Sequence, residues 1–378
     1  MKKIKIKSAH LTRIGVLSAD YVSITMDAVR PALSGVDIER VAHVYLSAYA
    51  PAELCGITDP FREATRAIQS EFPALRATYH GLFKTGGEAL YTALADLSGG
   101  GNPTGDILVV GSEKMTHLTP SEVAGTLSGR ENTHDGAYGA TLPALGGLVT
   151  HAYLSSRGVP EQALHAVAVK NHRNGALNPK AHFQKAVTPA EVASSPLVRD
   201  PLRRLHCSPI SDGAAALLLG EDGGEVAFAG WGKGTDTPLL QERRDVASFA
   251  ATARASEAAR AMAGIALDDI NVVEIHDAFV SFELINLEAL GFYEPGTAWR
   301  PLDAGDLETS GRRAVNPSGG MKARGHPIGA TALTAGVEML EQLTGRAGAR
   351  QHRGARAGMI QSVGGVSNES YVFIVDQT

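Results

Sequence analysis

Four short runs hold residues whose types and spacing suit chemistry at a carbonyl. The run NPSGGMKARGHPIGATA, Asn316 to Ala332, sets His326 and Pro327 between Gly325 and Gly329. Proline suits the first turn of a helix, and the flanking glycines let a substrate approach the backbone closely. The spacing puts His326 near a helix N-terminus. The positive end of the helix dipole disfavours the imidazolium, so the ring is held neutral, able to act as a base or a hydrogen-bond donor. A lone histidine near a helix start is more often structural; here the length of the glycine-rich run favours function. EIHDAF, Glu274 to Phe279, carries His276 and Asp277 where an apolar strand gives way to a helix. That is the carboxyl edge of a sheet, where open α/β sheets place ligands. In QSVGGVSN, Gly364 and Gly365 follow a strand and can offer backbone N–H groups to an oxyanion, although taken alone the run reads more simply as a hairpin turn. In GLFKTGGEAL, Gly81 to Leu90, two glycines stand where a loop enters a helix.

The elements that must position these residues alternate in type. IKIKSAHLTRIG reads as an opening strand, ADYVSITMDAVRPAL as a helix and RVAHVYLSAYA as a buried strand. DPFREATRAIQSEF and TGGEALYTALADL follow as helices, and DILVVGSEKM as a strand ending in a Gly-Ser turn. Strand and helix in alternation mean a mainly parallel α/β sheet. From about residue 116 to 198 the texture turns to Gly, Thr and Ser, then to a basic, polar run. A structureless loop of that length is improbable inside a compact domain, so it is read as an insertion containing helices. The second half repeats the outline: EVAFAGWG strand, ASFAATARASEAARAMAGI helix, INVVEIHDAF strand, VSFELINLEALGF helix, GHPIGATALTAGVEMLEQL helix, then two strands around a glycine turn. TGGEALYTAL and PIGATALTAG match at a helix start. LHCSPISDGAAALLLG and GMIQSVGGVSNESYVFIV share a scheme of strand, small-polar turn and strand. The repeat predicts two similar halves, 1–222 and 223–378.

Composition bounds the rest. The 378 residues are enough for a large core, with 44% hydrophobic and 20% charged residues as in an ordinary globular enzyme. A net charge of −5 argues against nucleic-acid binding. The two cysteines, Cys55 and Cys207, form neither a disulfide framework nor a CxxC metal motif, so no metal is expected and a reducing cytoplasm is the natural compartment. The N-terminal MKKIKIKSAHLTRIG is charged without a following apolar stretch, and no run of about eighteen apolar residues predicts a membrane span.

Taken in order, GSEKMT, VKNHRNGALNPKAHF, CSPISDGAAALLL, EIHDAF and NPSGGMKARGHPIGATA resemble the thiolase superfamily. They look most like its sterol-carrier-protein-type branch, in which His-Asp-Ala-Phe replaces Asn-Glu-Ala-Phe. The resemblance runs from about Gly81 to the C-terminus. It implies a five-layered αβαβα sandwich of two similar halves with an inserted loop domain, a homodimer, and acyl-CoA substrates with coenzyme A as substrate or product and no covalently bound cofactor. It implies that His326 is the base and part of an oxyanion site, that His276 completes that site, and that Asn316 and Asp277 support the two motifs. Backbone N–H groups near Phe83 and Gly365 would form a second oxyanion site. In the insertion, Lys170, His172, Arg173, Lys180 and Lys185 are candidates to meet the CoA phosphates, against an equal case for a solvated charged face. Relatives of this branch often work with a small zinc-ribbon/OB-fold protein, and nothing in the sequence marks a surface for one.

One position departs from the family pattern. The turn entering the GGEAL helix should carry a nucleophilic cysteine, whose thiol the helix N-terminus activates. Aligned on Gly86 and Gly87, that place holds Phe83, followed by Lys84 and Thr85. Three functions then compete. The first is a thiolase-like acyltransferase forming or cleaving a C–C bond without the standard acyl-cysteine. The second is a retro-aldolase acting on β-hydroxyacyl-CoA with a base and an oxyanion site alone. The third is a catalytically silent subunit in which Phe83 plugs the acyl space.

Overall fold

The computed structural model describes residues 3–99, 105–131 and 140–378. The first half runs β1 (Ile4–Leu11), α1 (Tyr21–Leu33), β2 (Val41–Ser47), α2 (Pro51–Cys55), α3 (Pro60–Glu71), β3 (Thr78–Leu82), α4 (Gly86–Ser98) and β4 (Asp106–Glu113). Between β4 and β7 lie α5 (Pro120–Glu131), α6 (Leu142–Arg157), α7 (Gln162–Ala176), α8 (Pro189–Ser194) and a small pair, β5 (Leu197–Arg199) and β6 (Leu202–Arg203). β7 (Gly213–Gly220) follows. The second half comprises β8 (Val226–Thr235), α9 (Ala250–Ala263), β9 (Val272–Glu274), α10 (Val280–Ala289), α11 (Trp299–Asp303), β10 (Ala314–Val315), α12 (Gly320–Arg324), α13 (Thr331–Leu343), β11 (Ala357–Gly364) and β12 (Glu369–Gln377).

The ten main strands are ordered β10-β9-β11-β12-β8-β1-β7-β4-β2-β3. In the set from the first half, β2 is parallel to β3 and β4, and β7 runs antiparallel between β4 and β1. In the set from the second half, β9 is parallel to β10 and β11, and β12 runs antiparallel between β11 and β8. The two sets have the same topology, so β4 and β7 correspond to β11 and β12. The repeat read from the sequence is corrected at one place. LHCSPIS is not the counterpart of a strand: it forms a 3-10 turn at Arg204–His206 and an irregular segment before β7. The strand in INVVEIHDAF is likewise short, spanning only Val272–Glu274.

Side chains alternate across the strands, and both faces of the central strands β4, β7 and β11 are buried. Ile107, Val109, Leu217 and Leu219 face one core, which they share with Leu90 and Leu94 of α4, Leu333 and Met339 of α13, and Tyr371, Phe373 and Val375 of β12. Leu108, Val110, Ala216 and Leu218 face the opposite way, against Ile24 and Val29 of α1 and Phe61 and Ile68 of α3. Val372 and Ile374 pack with Ala255 and Ala259 of α9 and Phe282 and Ile285 of α10. The layers are therefore helix, sheet, helix, sheet, helix, with α4 and α13 in the middle. This is the five-layered arrangement expected from the sequence.

Candidate active site

The middle layer and the ends of β9 and β11 bring the two histidine motifs together. The His276 and His326 rings stand edge to face, with centroids 5.2 Å apart. They wall one end of a cavity of about 260 Å³. Thr85, Thr331, Ser362, Gly364 and Gly365 line the same space, as do Cys207 and Ser208. Its remaining wall is mainly apolar: Met115, together with Val123 and Leu127 of α5, Leu142 and Pro143 of α6, Ile210, and Phe279 and Phe282 beside and on α10.

His276 is fixed through its backbone. Its N–H donates to Gln361 Oε1 at 2.9 Å, and its carbonyl accepts from Asn286 Nδ2 at 3.0 Å. One residue earlier, Ile275 N–H donates to Asn316 Oδ1 at 2.8 Å. Asn316 sits at φ 51°, a left-handed conformation that asparagine tolerates. Its own amide donates to Glu283 at 2.8 Å. Asp277, next in the chain, is buried away from the cavity. It accepts from Met321 N–H at 2.6 Å, Asn171 Nδ2 at 2.7 Å and Lys322 N–H at 3.3 Å, anchoring the short helix α12. Burial, with Glu283 nearby, pushes its carboxyl upward. Asn316 and Asp277 thus hold the turns that carry the histidines.

The turn carrying His326 is pinned by a buried ion pair, Arg324 Nη1 to Glu274 Oε2 at 2.8 Å, which Ser318 joins through its N–H and hydroxyl. α13 begins only at Thr331, and Pro327 precedes a 3-10 turn, so His326 lies five residues before the helix proper. Thr331 Oγ1 donates to the Pro327 carbonyl at 3.0 Å and lies 2.8 Å from His326 Nδ1. With the hydroxyl hydrogen committed to Pro327, Nδ1–H is the donor in the second contact, which leaves the Nε2 lone pair open. Burial, reinforced by Arg324, pulls the imidazolium down to about 4. Burial, reinforced by His326, holds His276 well below its ordinary value. Desolvation, and not the dipole of a helix that starts five residues on, is the main cause of neutrality. His276 Nδ1 is buried and has no hydrogen-bond partner.

The structure corrects the placement of Phe83. Its ring is 55% exposed and leans edge-on against Phe61, centroids 4.9 Å apart, outside the cavity wall. It plugs nothing in front of the histidines. Lys84 is also exposed and pairs with Glu88 at 3.3 Å. Of the three turn residues only Thr85 reaches the cavity, as the N-cap of α4. Cys207 also lines the cavity, a position that the sequence, read as a strand motif, did not predict. Its thiol donates to the Arg203 carbonyl at 3.5 Å, and burial pushes it up to about 11, so it is protonated at neutral pH. Cys55 is buried elsewhere, and burial pushes its thiol up strongly.

None of the five basic-segment candidates lines the cavity. Lys170 is 1% exposed and pairs with Glu283 at 3.1 Å, so its charge is internally compensated and it is withdrawn as a phosphate contact. His172 is buried, stacked on Phe183, with Nδ1 against the Lys185 carbonyl at 3.1 Å. Arg173 is exposed and pairs with Glu308. Lys180 is half-buried and Lys185 exposed. The sequence reading of QSVGGVSN singles out its glycines and not Ser362, a buried hydroxyl with no partner. Nor did it single out Glu113, whose carboxylate takes the N–H groups of Gly329 and Tyr49 at 3.0 Å each. Among the described residues no group of three or more metal-ligating side chains converges, and no helix is long and apolar enough to cross a membrane.

The chain belongs to the thiolase superfamily: the description "Thiolase, N-terminal domain" matches residues 16–222 and "Thiolase C-terminal domain-like" residues 232–377. Its relatives place it in the sterol-carrier-protein-type branch, as an acyltransferase-like member. It is 37% identical over 304 residues to an acetyl-CoA acetyltransferase of Methanothermobacter thermautotrophicus, covering 77% of each chain. It is 28% identical over 382 residues to sterol carrier protein 2 of Bos taurus, covering 93% of this chain and 68% of that one. The solved Ltp2-ChsH2(DUF35) aldolase superposes with a TM-score of 0.82 at 18% identity, over 100% of this chain and 98% of the other.

Proposed function

We propose that this protein acts on acyl-CoA thioesters, forming or cleaving a carbon–carbon bond by Claisen-type chemistry with histidine acid–base groups and no acyl-cysteine. One observation carries this reading. Two neutral imidazoles meet in the wall of a largely apolar cavity, beside an α4 turn that presents a hydroxyl and no thiol. Thioester chemistry at the α-carbon needs a base and donors for the enolate oxygen. His326 Nε2 suits the base, because Thr331 holds the ring in that tautomer. Negative charge growing on the substrate favours proton uptake by His326 as the reaction proceeds. His276, its Nδ1 unpartnered, supplies a polar contact to the thioester oxygen. Backbone N–H groups at Gly364, Gly365 and the Phe83 turn are the second oxyanion set. The apolar wall receives the acyl chain, and exposed basic residues such as Arg173 and Lys185 remain candidates for the CoA phosphates.

A retro-aldol reaction on β-hydroxyacyl-CoA is the second reading, favoured by the missing thiol at α4. A histidine takes the hydroxyl proton, the Cα–Cβ bond breaks to release an aldehyde or ketone, and the enolate regains a proton. The silent-subunit reading fits less well, since Phe83 leaves the cavity open. The experiment supplies purified protein with acetoacetyl-CoA plus CoA, and separately with a series of β-hydroxyacyl-CoA thioesters, following acetyl-CoA and carbonyl release. Acetyl-CoA formation supports the first reading, and carbonyl release alone the second. No turnover on either set, with activity gained only on adding a small zinc-ribbon/OB-fold partner and kept in His326→Ala, overturns both.

A further inference from the structure

We infer that Ser362 is a further catalytic group of this site, donating a hydrogen bond from Oγ to the thioester oxygen as it takes on enolate character. This rests on the acyl-CoA reading above. Ser362 is 1% exposed, its Oγ has no partner, and it lines the cavity. A buried hydroxyl without an acceptor is costly, so its retention points to an acceptor that arrives with a ligand. The fold aims it. Along β11 the side chains alternate, so Gln361 faces α10, where it meets Asn286, while Ser362 faces the middle layer. There it lies against the first turn of α4: a Cβ built on Gly87 would stand 2.8 Å from Ser362 Oγ and 2.9 Å from its Cβ. Glycine at 87 lets the strand end and the helix start close on one another. The first bonds within α4 run from Glu88 and Ala89 to the Thr85 carbonyl. The N–H groups of Gly86 and Gly87 precede them and add positive potential beside the hydroxyl. Gln361 and Ser362 are adjacent, and Gln361 Oε1 holds the backbone N–H of His276, so one strand end sets both the histidine and the hydroxyl. His276 Nδ1 is the second unpartnered buried polar atom of the same cavity. An oxygen with two lone pairs can engage both.

The test measures binding without turnover. Two coenzyme A derivatives of equal chain length are titrated calorimetrically: S-hexyl-CoA, a thioether with no carbonyl, and the hexanoyl analogue whose thioester sulfur is replaced by methylene, a ketone. The wild-type protein is expected to favour the ketone. Ser362→Ala is expected to lose roughly tenfold of that preference, the scale of one net hydrogen bond, with S-hexyl-CoA affinity unchanged. Ser362→Cys, a weaker donor of similar size, is expected to lose part of it and serves if the alanine variant does not fold. If Ser362→Ala discriminates as well as the wild type, or the wild type binds both ligands alike, the inference is overturned and the acyl-CoA reading stands. If the wild type binds neither ligand, both fall together.

Discussion

His276 and His326 share one physical condition: burial makes the charged ring costly, so both stay neutral where a carbonyl is to be polarised or a proton removed. His326→Ala is expected to lower turnover about 10²–10⁴-fold, the usual scale for an acid–base group, with little change in thermal stability; equal activity in the variant assigns the base elsewhere. The same burial sets an acid limit on the fold. His326 and His172 are drawn down to about 4 and His206 to about 3, each chiefly by desolvation. An unfolded histidine takes its proton near 6.5. Between these values only the unfolded chain gains protons, so stability falls as pH falls through that window and is unaffected by these groups above it. Unfolding midpoints measured from pH 7 to pH 4 are expected to drop by several degrees, and a flat profile contradicts the assignment. At this scale the histidines were legible, His326 because a glycine-rich run surrounds it and His276 because it stands where an apolar strand gives way to a helix. Ser362 and the cavity face of Cys207 were not, since their neighbours come from distant segments.

Elements meet closely where β4 passes the GHPIG turn. A Cβ on Gly111 would lie 2.1 Å from the Gly329 carbonyl oxygen, which is backbone and cannot swing aside. Gly111→Ala is expected to cost about 1–3 kcal/mol, as overpacking does, and to impair activity by shifting the turn before His326. Gly125→Ala, in α5 with open space around its Cβ position, is expected to be neutral or slightly stabilising. Chemical denaturation of both variants measures the contrast, and equal stability would show that the close approach has slack. Periodicity revealed the long elements, including α1, α3, α4, α9 and α13. It missed the brevity of β9, which ends at Glu274 because the backbone N–H groups of Ile275 and His276 donate to Asn316 and Gln361 side chains.

For the whole molecule, the main sheet has edges at β10 and β3; β3 pairs with β2 alone and continues into the exposed Phe83. An unpaired strand edge is a template for association, which is consistent with the homodimer that the family resemblance implies. Light scattering at micromolar concentration is expected to give twice the chain mass, and Phe83→Glu to reduce it towards one chain. A monomeric wild type would remove the dimer from the proposal and leave Phe83 without a role in the structure.

The sequence by itself determined the alternation of strands and helices, the doubling into two similar halves, and the two histidine motifs. These are local or periodic signals, carried by spacing and by glycine. It also marked the missing cysteine, since that depends only on which residue occupies one turn. Only the tertiary structure decided where the substituting side chain goes. Phe83 points out to Phe61 and Thr85 in to the cavity because strand β3 and helix α4 fix the direction of the turn between them. The charges of the insertion were decided in the same way. Lys170 and Arg173 are three residues apart in sequence, yet α7 buries one against Glu283 and leaves the other to solvent. Burial is a property of what packs against a residue, and that information lies more than a hundred positions away in the chain.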